Sequence, residues 1–225
     1  MDWDGIDLVV FDVDGTLYDQ RALRVRMAWE LCLHTLSTLD FTVPQALRTY
    51  RELRENMGDE EIEDFETELI RKTAASTGAP RHKVRAVVEE WIELRPLSHL
   101  AALRFVGLVE LFSRLKRKGK SVGIFSDYPA MAKLSSLGLA ADFVVSAGDA
   151  GVKKLKPNPR GLEVLMKVAK AVPARTILIG DREDRDGLAA RRAGAACLIR
   201  SSKPLKDWRT FARYDDALFL PILMS

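Results

Sequence analysis

The sequence predicts an α/β protein: a core built on a parallel sheet, with an all-helical block inserted after the first strand. Three observations carry this. From residue 96 onward, short apolar runs alternate with helical periodicity, the pattern of βαβ units. Between residues 20 and 95 the apolar spacing is helical and no credible strand can be read. Several apolar runs also end in polar motifs, and open α/β sheets bind ligands at the carboxyl ends of their strands. The expected division is a core of residues 1–19 and 96–225 and an insert of residues 20–95.

Residues 6–11 form a nearly continuous apolar run, as a central parallel strand requires. In the insert, Leu23, Met27 and Leu31 recur at four-residue steps. Val25, Trp29 and Leu36 cover another face, so this first helix is expected to be largely buried. Pro44 can open a second helix carrying Leu47, Tyr50, Leu53 and Met57. Asp59 can cap a third, with Glu60, Glu61 and Glu63 in its first turns and Ile62, Phe65 and Leu69 inward. Gly78 ends it, and Pro80 starts a fourth with Val84, Val87, Trp91 and Leu94 on one side.

Beyond Pro96, helices are expected near residues 106–118, 130–137, 161–171 and 187–193. Gly119, Gly138 and Gly194 stand at or just beyond three of their ends. Strands are expected at 121–125, 143–145, 176–179 and 196–199. From Ser201 on, Trp208, Phe211, Tyr214, Leu218 and Phe219 are too apolar for a free tail and should pack on the core.

With 225 residues, 47% hydrophobic and 30% charged, the chain has ordinary globular composition. Its formal charge of +3 is mild, and the compact basic run Lys116-Arg117-Lys118 suits a helix end better than a nucleic-acid patch. No helix-turn-helix, zinc motif or aromatic–basic platform is visible. Cys32 and Cys197 lie in apolar surroundings, without metal or disulfide spacing. The acidic start lacks signal-peptide character, and no run approaches a membrane span. A cytoplasmic protein without nucleic-acid or membrane partners is expected; the oligomeric state is left open.

Four motifs carry the chemistry. Asp12-Val13-Asp14-Gly15-Thr16 follows the first strand. If the backbone curls at Gly15, both carboxylates can point the same way. One can attack an electrophile, the other can move protons, and a pair attracts a hard divalent cation. Ser126 in Phe125-Ser126-Asp127 offers a hydroxyl for phosphoryl oxygens. Lys156, between Leu155 and Pro157, can aim a positive charge, although Lys153 and Lys154 stand nearby. Gly180-Asp181, with Asp184 and Asp186 behind, can complete a cation site, while Asp184 or Asp186 can equally cap the next helix. Together the set covers the needs of phosphoryl transfer, which rests on positioning and on stabilising spread negative charge.

On these motifs the chain resembles the haloacid dehalogenase-like hydrolases, over roughly residues 6–199. The resemblance implies a Rossmann-like core, with Asp12 as nucleophile through an aspartyl-phosphate and Asp14 as general acid/base. It implies Mg²⁺ held by the Asp12 carboxylate, the Asp14 main-chain carbonyl and the Asp181 carboxylate. Ser126 and its neighbour Asp127 would line the phosphate site, Lys156 would steady the phosphoryl charge, and Asp186 would orient metal waters or Lys156. The family's dehalogenases lack an acid two residues after the nucleophile, so Asp14 favours phosphate chemistry. The long gap before Ser126 makes residues 20–95 resemble the helical cap of the phosphoglycolate phosphatase-like branch, hinged near residues 18–20 and 95–100. Three features depart from the commonest pattern. Asp127 replaces Asn, which would disfavour multiply charged substrates; extra residues precede Lys-Pro; and Arg185 stands where many relatives have an acid.

The expected activity is therefore a Mg²⁺-dependent phosphatase acting on a small phosphorylated metabolite. A sugar-phosphate mutase and a non-catalytic phosphate-binding or regulatory module are the alternatives. Arg21, Arg24, His34 and Arg48 are candidates for substrate contact from the cap.

Overall fold

The structure, a computed structural model, describes residues 2–58, 62 and 64–224. Strand β1 (Leu8–Phe11) is followed by the helical block. This comprises α1 (Gln20–Thr38), α2 (Thr42–Met57), α3 (Phe65–Thr77) and α4 (Arg81–Val88), with α4 running into a π-helical turn, Glu89–Leu94. Then come α5 (Leu97–Leu103), α6 (Leu108–Arg117), β2 (Ser121–Ser126), α7 (Met131–Leu137), β3 (Phe143–Ser146), α8 (Arg160–Ala169), β4 (Thr176–Gly180), α9 (Leu188–Arg192), β5 (Ala196–Arg200), β6 (Arg209–Phe211) and α10 (Leu220–Leu223).

The six strands form one all-parallel sheet in the order β3-β2-β1-β4-β5-β6. Side chains alternate across a strand, so β1 feeds two cores. Val9 and Phe11 pack on one face with Leu111, Leu115 and Leu134 from α6 and α7. Leu8 and Val10 pack on the other with Leu162, Leu165 and Ala189 from α8 and α9. Both faces are covered, as a parallel sheet requires. The strands expected from the sequence are all present; β6 is an addition, paired to β5.

The segment after Ser201 packs on the core as expected. Phe211, Tyr214 and Phe219 are buried together, and Trp3 stacks on Phe219 and donates its indole N–H to the Leu218 carbonyl at 2.8 Å. The Tyr214 hydroxyl donates to the Thr16 carbonyl at 2.8 Å, bracing the loop after β1 from behind.

The insert differs from expectation at several points. Leu23 and Met27 are buried, but Val25, Trp29, Leu36 and Cys32 on the other side of α1 are exposed, so the helix is half-buried only. Leu94 is also exposed. Asp59, Glu60, Glu61 and Glu63 lie outside the described residues; α3 starts at Phe65, with Phe65 and Leu69 inward, and ends at Gly78 in the left-handed region. Ile62 stands outside it. The chain leaves the sheet layer and returns side by side: Asp19 N–H donates to the Leu103 carbonyl at 3.0 Å, and Phe105 N–H to Leu17 at 3.1 Å.

Candidate active site

Central strand β1 lies between β2 and β4, with Phe11 level with Ile124 and Ile179. Asp12, Ser126 and Asp181 therefore emerge from three adjacent strands at one sheet edge. The loop after β1 turns at Gly15, whose φ of 90° is favoured by glycine; a Cβ there would overlap the Asp181 carboxylate.

Lys156 is buried between two acids. Its ammonium donates to Asp12 Oδ1 at 2.5 Å and to Asp186 Oδ1 at 2.7 Å. Burial alone would depress its pKa, but these carboxylates outweigh that and hold it charged, well above the ordinary lysine value. Of the three lysines in this stretch, Lys156 is the one brought to the acids. Asp12 Oδ2 accepts from the Thr16 hydroxyl at 2.9 Å. Burial raises the Asp12 pKa well above the usual range; Lys156 opposes this, while Asp186, Asp181 and Asp14 add to it.

Asp12, Asp181 and Asp186 each offer an oxygen within 4.8 Å of the others. Burial and then Asp186 push Asp181 up to about 7. Crowded, partly desolvated carboxylates of this kind fit a hard divalent cation, whose charge relieves their repulsion. Asp186 is otherwise engaged: besides Lys156, it accepts the main-chain N–H groups of Asp181 and Arg182 at 3.2 and 3.1 Å. A Cβ on Gly180 would overlap it. Asp184 turns away, exposed and paired with Arg182 at 2.7 Å. Both Asp184 and Asp186 lie within a π-helical turn, Glu183–Gly187, rather than capping α9.

Asp14 points to a different partner. Lys133, from α7, donates to both its oxygens at 2.6 and 2.7 Å, and the Tyr18 hydroxyl donates to it as well. Burial would raise the Asp14 pKa, but Lys133 and Tyr18 outweigh it and hold the carboxyl below its ordinary value. Ser126 is fully buried, its hydroxyl accepting the Tyr128 N–H at 3.2 Å. The Asp127 carboxylate accepts the Lys156 main-chain N–H at 3.0 Å, so it braces the lysine loop.

The helical insert roofs this edge and encloses a cavity of about 510 Å³. Asp12, Asp14, Asp127, Lys133, Lys156, Asp181 and Asp186 line its floor. Of the candidate cap contacts, Arg24 lines it; Arg21, His34 and Arg48 do not. His34 packs on Trp91, and Arg48 pairs with Glu52 on the surface. Arg51 and Arg54 line it instead. Arg54 is buried, stacked on Tyr128 at 4.0 Å and Phe65 at 5.1 Å, and donates to the Tyr50 hydroxyl and the Asp127 carbonyl. Arg185 also joins the two layers, donating to the Lys156 carbonyl at 3.0 Å and the Glu55 carbonyl at 2.6 Å.

Sequence reasoning missed Lys133, Tyr18, Arg51 and Arg54. Lys133 had one weak signal, a lysine at a position where the apolar pattern of α7 points inward. Arg54 had a similar one, lying one helical turn from Tyr50.

A parallel sheet with an acid–lysine–acid cluster at its carboxyl edge, roofed by helices, defines a hydrolase of the haloacid dehalogenase-like class. Residues 6–194 match the family model described as haloacid dehalogenase-like hydrolase, and the chain belongs to that family. Among individual relatives, it is 25% identical over 201 residues to phosphoglycolate phosphatase 1 of Pseudomonas aeruginosa, spanning 84% of this chain and 67% of that one. It is 25% identical over 206 residues to glyceraldehyde 3-phosphate phosphatase of Methanothermobacter thermautotrophicus, spanning 87% and 85%. A solved 2-haloacid dehalogenase from Pseudomonas syringae shares the fold, with TM-score 0.64 and 19% identity over 97% of this chain and 98% of that one. Among the described residues no helix is long and apolar enough to cross a membrane.

Proposed function

We propose that the protein is a Mg²⁺-dependent phosphatase that hydrolyses a small phosphorylated metabolite through an aspartyl-phosphate. The observation that carries this is the convergence of Asp12, Lys156, Asp181 and Asp186 on the floor of one cavity. The names of the two phosphatase relatives support it. In this reading residues 1–19 and 96–225 form the core and residues 20–95 the cap.

Asp12 attacks phosphorus with a carboxylate that Lys156 holds at Oδ1 and the Thr16 hydroxyl at Oδ2. Lys156 opposes the burial that raises the Asp12 pKa and carries charge to the transferring phosphoryl oxygens. Ser126, which is buried at the β2 end with its hydroxyl on the Tyr128 N–H, is assigned to the same oxygens, while Asp127 keeps the lysine loop in register. Asp12 and Asp181, with the Asp14 carbonyl, would hold Mg²⁺; Asp186 orients Lys156 and the chain at Asp181. The ion would neutralise phosphoryl charge and orient the group for in-line attack.

Asp14 is the proton carrier. In the free enzyme Lys133 and Tyr18 keep it ionised, the form needed to take a proton from the water that hydrolyses the aspartyl-phosphate. An arriving phosphate adds negative charge beside it and raises its proton affinity, which suits the earlier protonation of the leaving group. The cavity volume fits a small molecule, and Arg24 and Arg51 favour one with a further anionic group.

The test is phosphate release from a panel of phosphorylated metabolites, with Mg²⁺ or EDTA, beside Asp12→Asn. Release that needs both Mg²⁺ and Asp12 is expected. No release from any compound by folded, Mg²⁺-binding protein would overturn the assignment.

A further inference from the structure

The outer side of α1 has the pattern of a helix–helix seam. A surface helix of a globular protein carries one apolar stripe; α1 carries two. Leu23 and Met27 face inward and line the cavity. On the opposite side Ala22, Val25, Trp29, Cys32 and Leu36 follow one another at alternating steps of three and four residues, and exposed Leu39 stands just past the helix end in left-handed backbone. The alternation is the 3.5-residue repeat of a coiled-coil seam. Val25 is 71% exposed, Trp29 65%, Leu36 67% and Leu39 73%, and no charged residue interrupts the line.

With Leu33 beside it, the stripe leaves on the order of 600 Å² of side-chain surface open, most of the roughly 800 Å² that each partner contributes to a standard stable interface. Monomers rarely expose apolar patches larger than a few hundred Å².

We propose that this face docks on the same face of a second copy of the chain, with the two α1 helices antiparallel about a two-fold axis between Trp29 and Cys32. The residue sizes argue for self-pairing. About that axis Val25 falls opposite Leu36 and Trp29 opposite Cys32. The central layer matches a small residue with a large one, as an interdigitated seam requires. A parallel pair would set Trp29 on Trp29. The contact is isologous and closes at two subunits. The seam residues Val25, Trp29 and Leu36 do not line the cavity, so dimerisation leaves it open.

The experiment is light scattering on the eluting 225-residue chain, from micromolar concentration upward. The expected mass is twice 25.2 kDa. Leu36→Glu, which puts a charge at a surface position, should halve that mass while circular dichroism and phosphate release stay unchanged. Cys32→Trp should weaken the dimer at least tenfold by crowding the Trp29 layer, and Trp29→Cys combined with Cys32→Trp should restore it. A monomeric wild type, or a dimer that Leu36→Glu leaves intact, would overturn self-pairing through α1; the former would leave the seam to a different protein. Failure of the exchanged pair to restore the dimer would overturn the antiparallel register.

Discussion

Replacing Lys133 by methionine removes a charge from α7 while keeping much of its bulk. The ammonium makes two contacts with Asp14, at 2.6 and 2.7 Å, and the side chains are 7% and 15% exposed. Coulomb's law at that separation, with an effective dielectric of about 20, gives roughly 6 kcal/mol of attraction. Desolvation of both ions takes back a large part, and removing one member of a buried pair typically costs 3–5 kcal/mol. Tyr18 still donates to Asp14 in the variant, so the lower end, about 3 kcal/mol, is expected.

The sign with pH follows from the direction of the Asp14 shift. Its folded pKa lies below the ordinary value. The pair therefore contributes fully above the unfolded aspartate pKa, about 3.9, and the contribution is lost as pH falls through the folded value. Urea denaturation of metal-free wild type and Lys133→Met at pH 7 should show midpoints about 1–1.5 M apart, at a slope of 2–3 kcal/mol per molar. The gap should narrow in acid. With para-nitrophenyl phosphate, whose leaving group departs without a proton, the acid limb of kcat should move to higher pH in the variant, because Asp14 then protonates more readily. A stability difference below about 1 kcal/mol at pH 7, or one that is the same in acid, would refute the pairing. An acid limb that stays in place would refute the role of Lys133 in setting Asp14.

Three further outcomes are expected. Because Asp181 in the metal-free site is pushed up to about 7, and burial raises Asp12 as well, a divalent cation must displace protons there; Mg²⁺ affinity should climb as pH rises through about 7, with calorimetry in buffers of different ionisation enthalpy registering proton release. Gly15→Ala places a Cβ against the Asp181 carboxylate at a φ of 90°. At a strain of about 1–2 kcal/mol, Mg²⁺ should bind roughly tenfold more weakly by titration, with folding kept. Arg54→Met removes the buried bond to the Asp127 carbonyl and the stacking on Tyr128. At about 2–3 kcal/mol for such contacts, kcat/KM should fall at least thirtyfold, whereas an unchanged value would separate the roof from catalysis.

Much of this molecule is local in origin. The strands of the sheet core were readable because a buried parallel strand is an unbroken apolar run, a property of four to six consecutive residues. Asp12 and Asp181 stood out for the same reason: each follows such a run, and parallel strands bring their carboxyl ends to one edge; Lys156, ten residues past β3, was marked instead by its place between Leu155 and Pro157 and by the family resemblance. Strand β6, Arg209–Phe211, was not readable, being three residues long with a single buried side chain.

What depended on tertiary structure is whatever joins distant segments through side chains. Lys133 meets Asp14 across 119 positions, and Arg54 meets Asp127 across 73. Neither pairing leaves a trace in local spacing, because a charged residue on a helix reads as solvated until its neighbours are placed. Periodicity also showed that α1 has two apolar faces; the packing of the insert decided which one the chain covers itself. An apolar stripe records that burial is favourable, since water is displaced whatever covers it, but the identity of the covering surface is set by the fold.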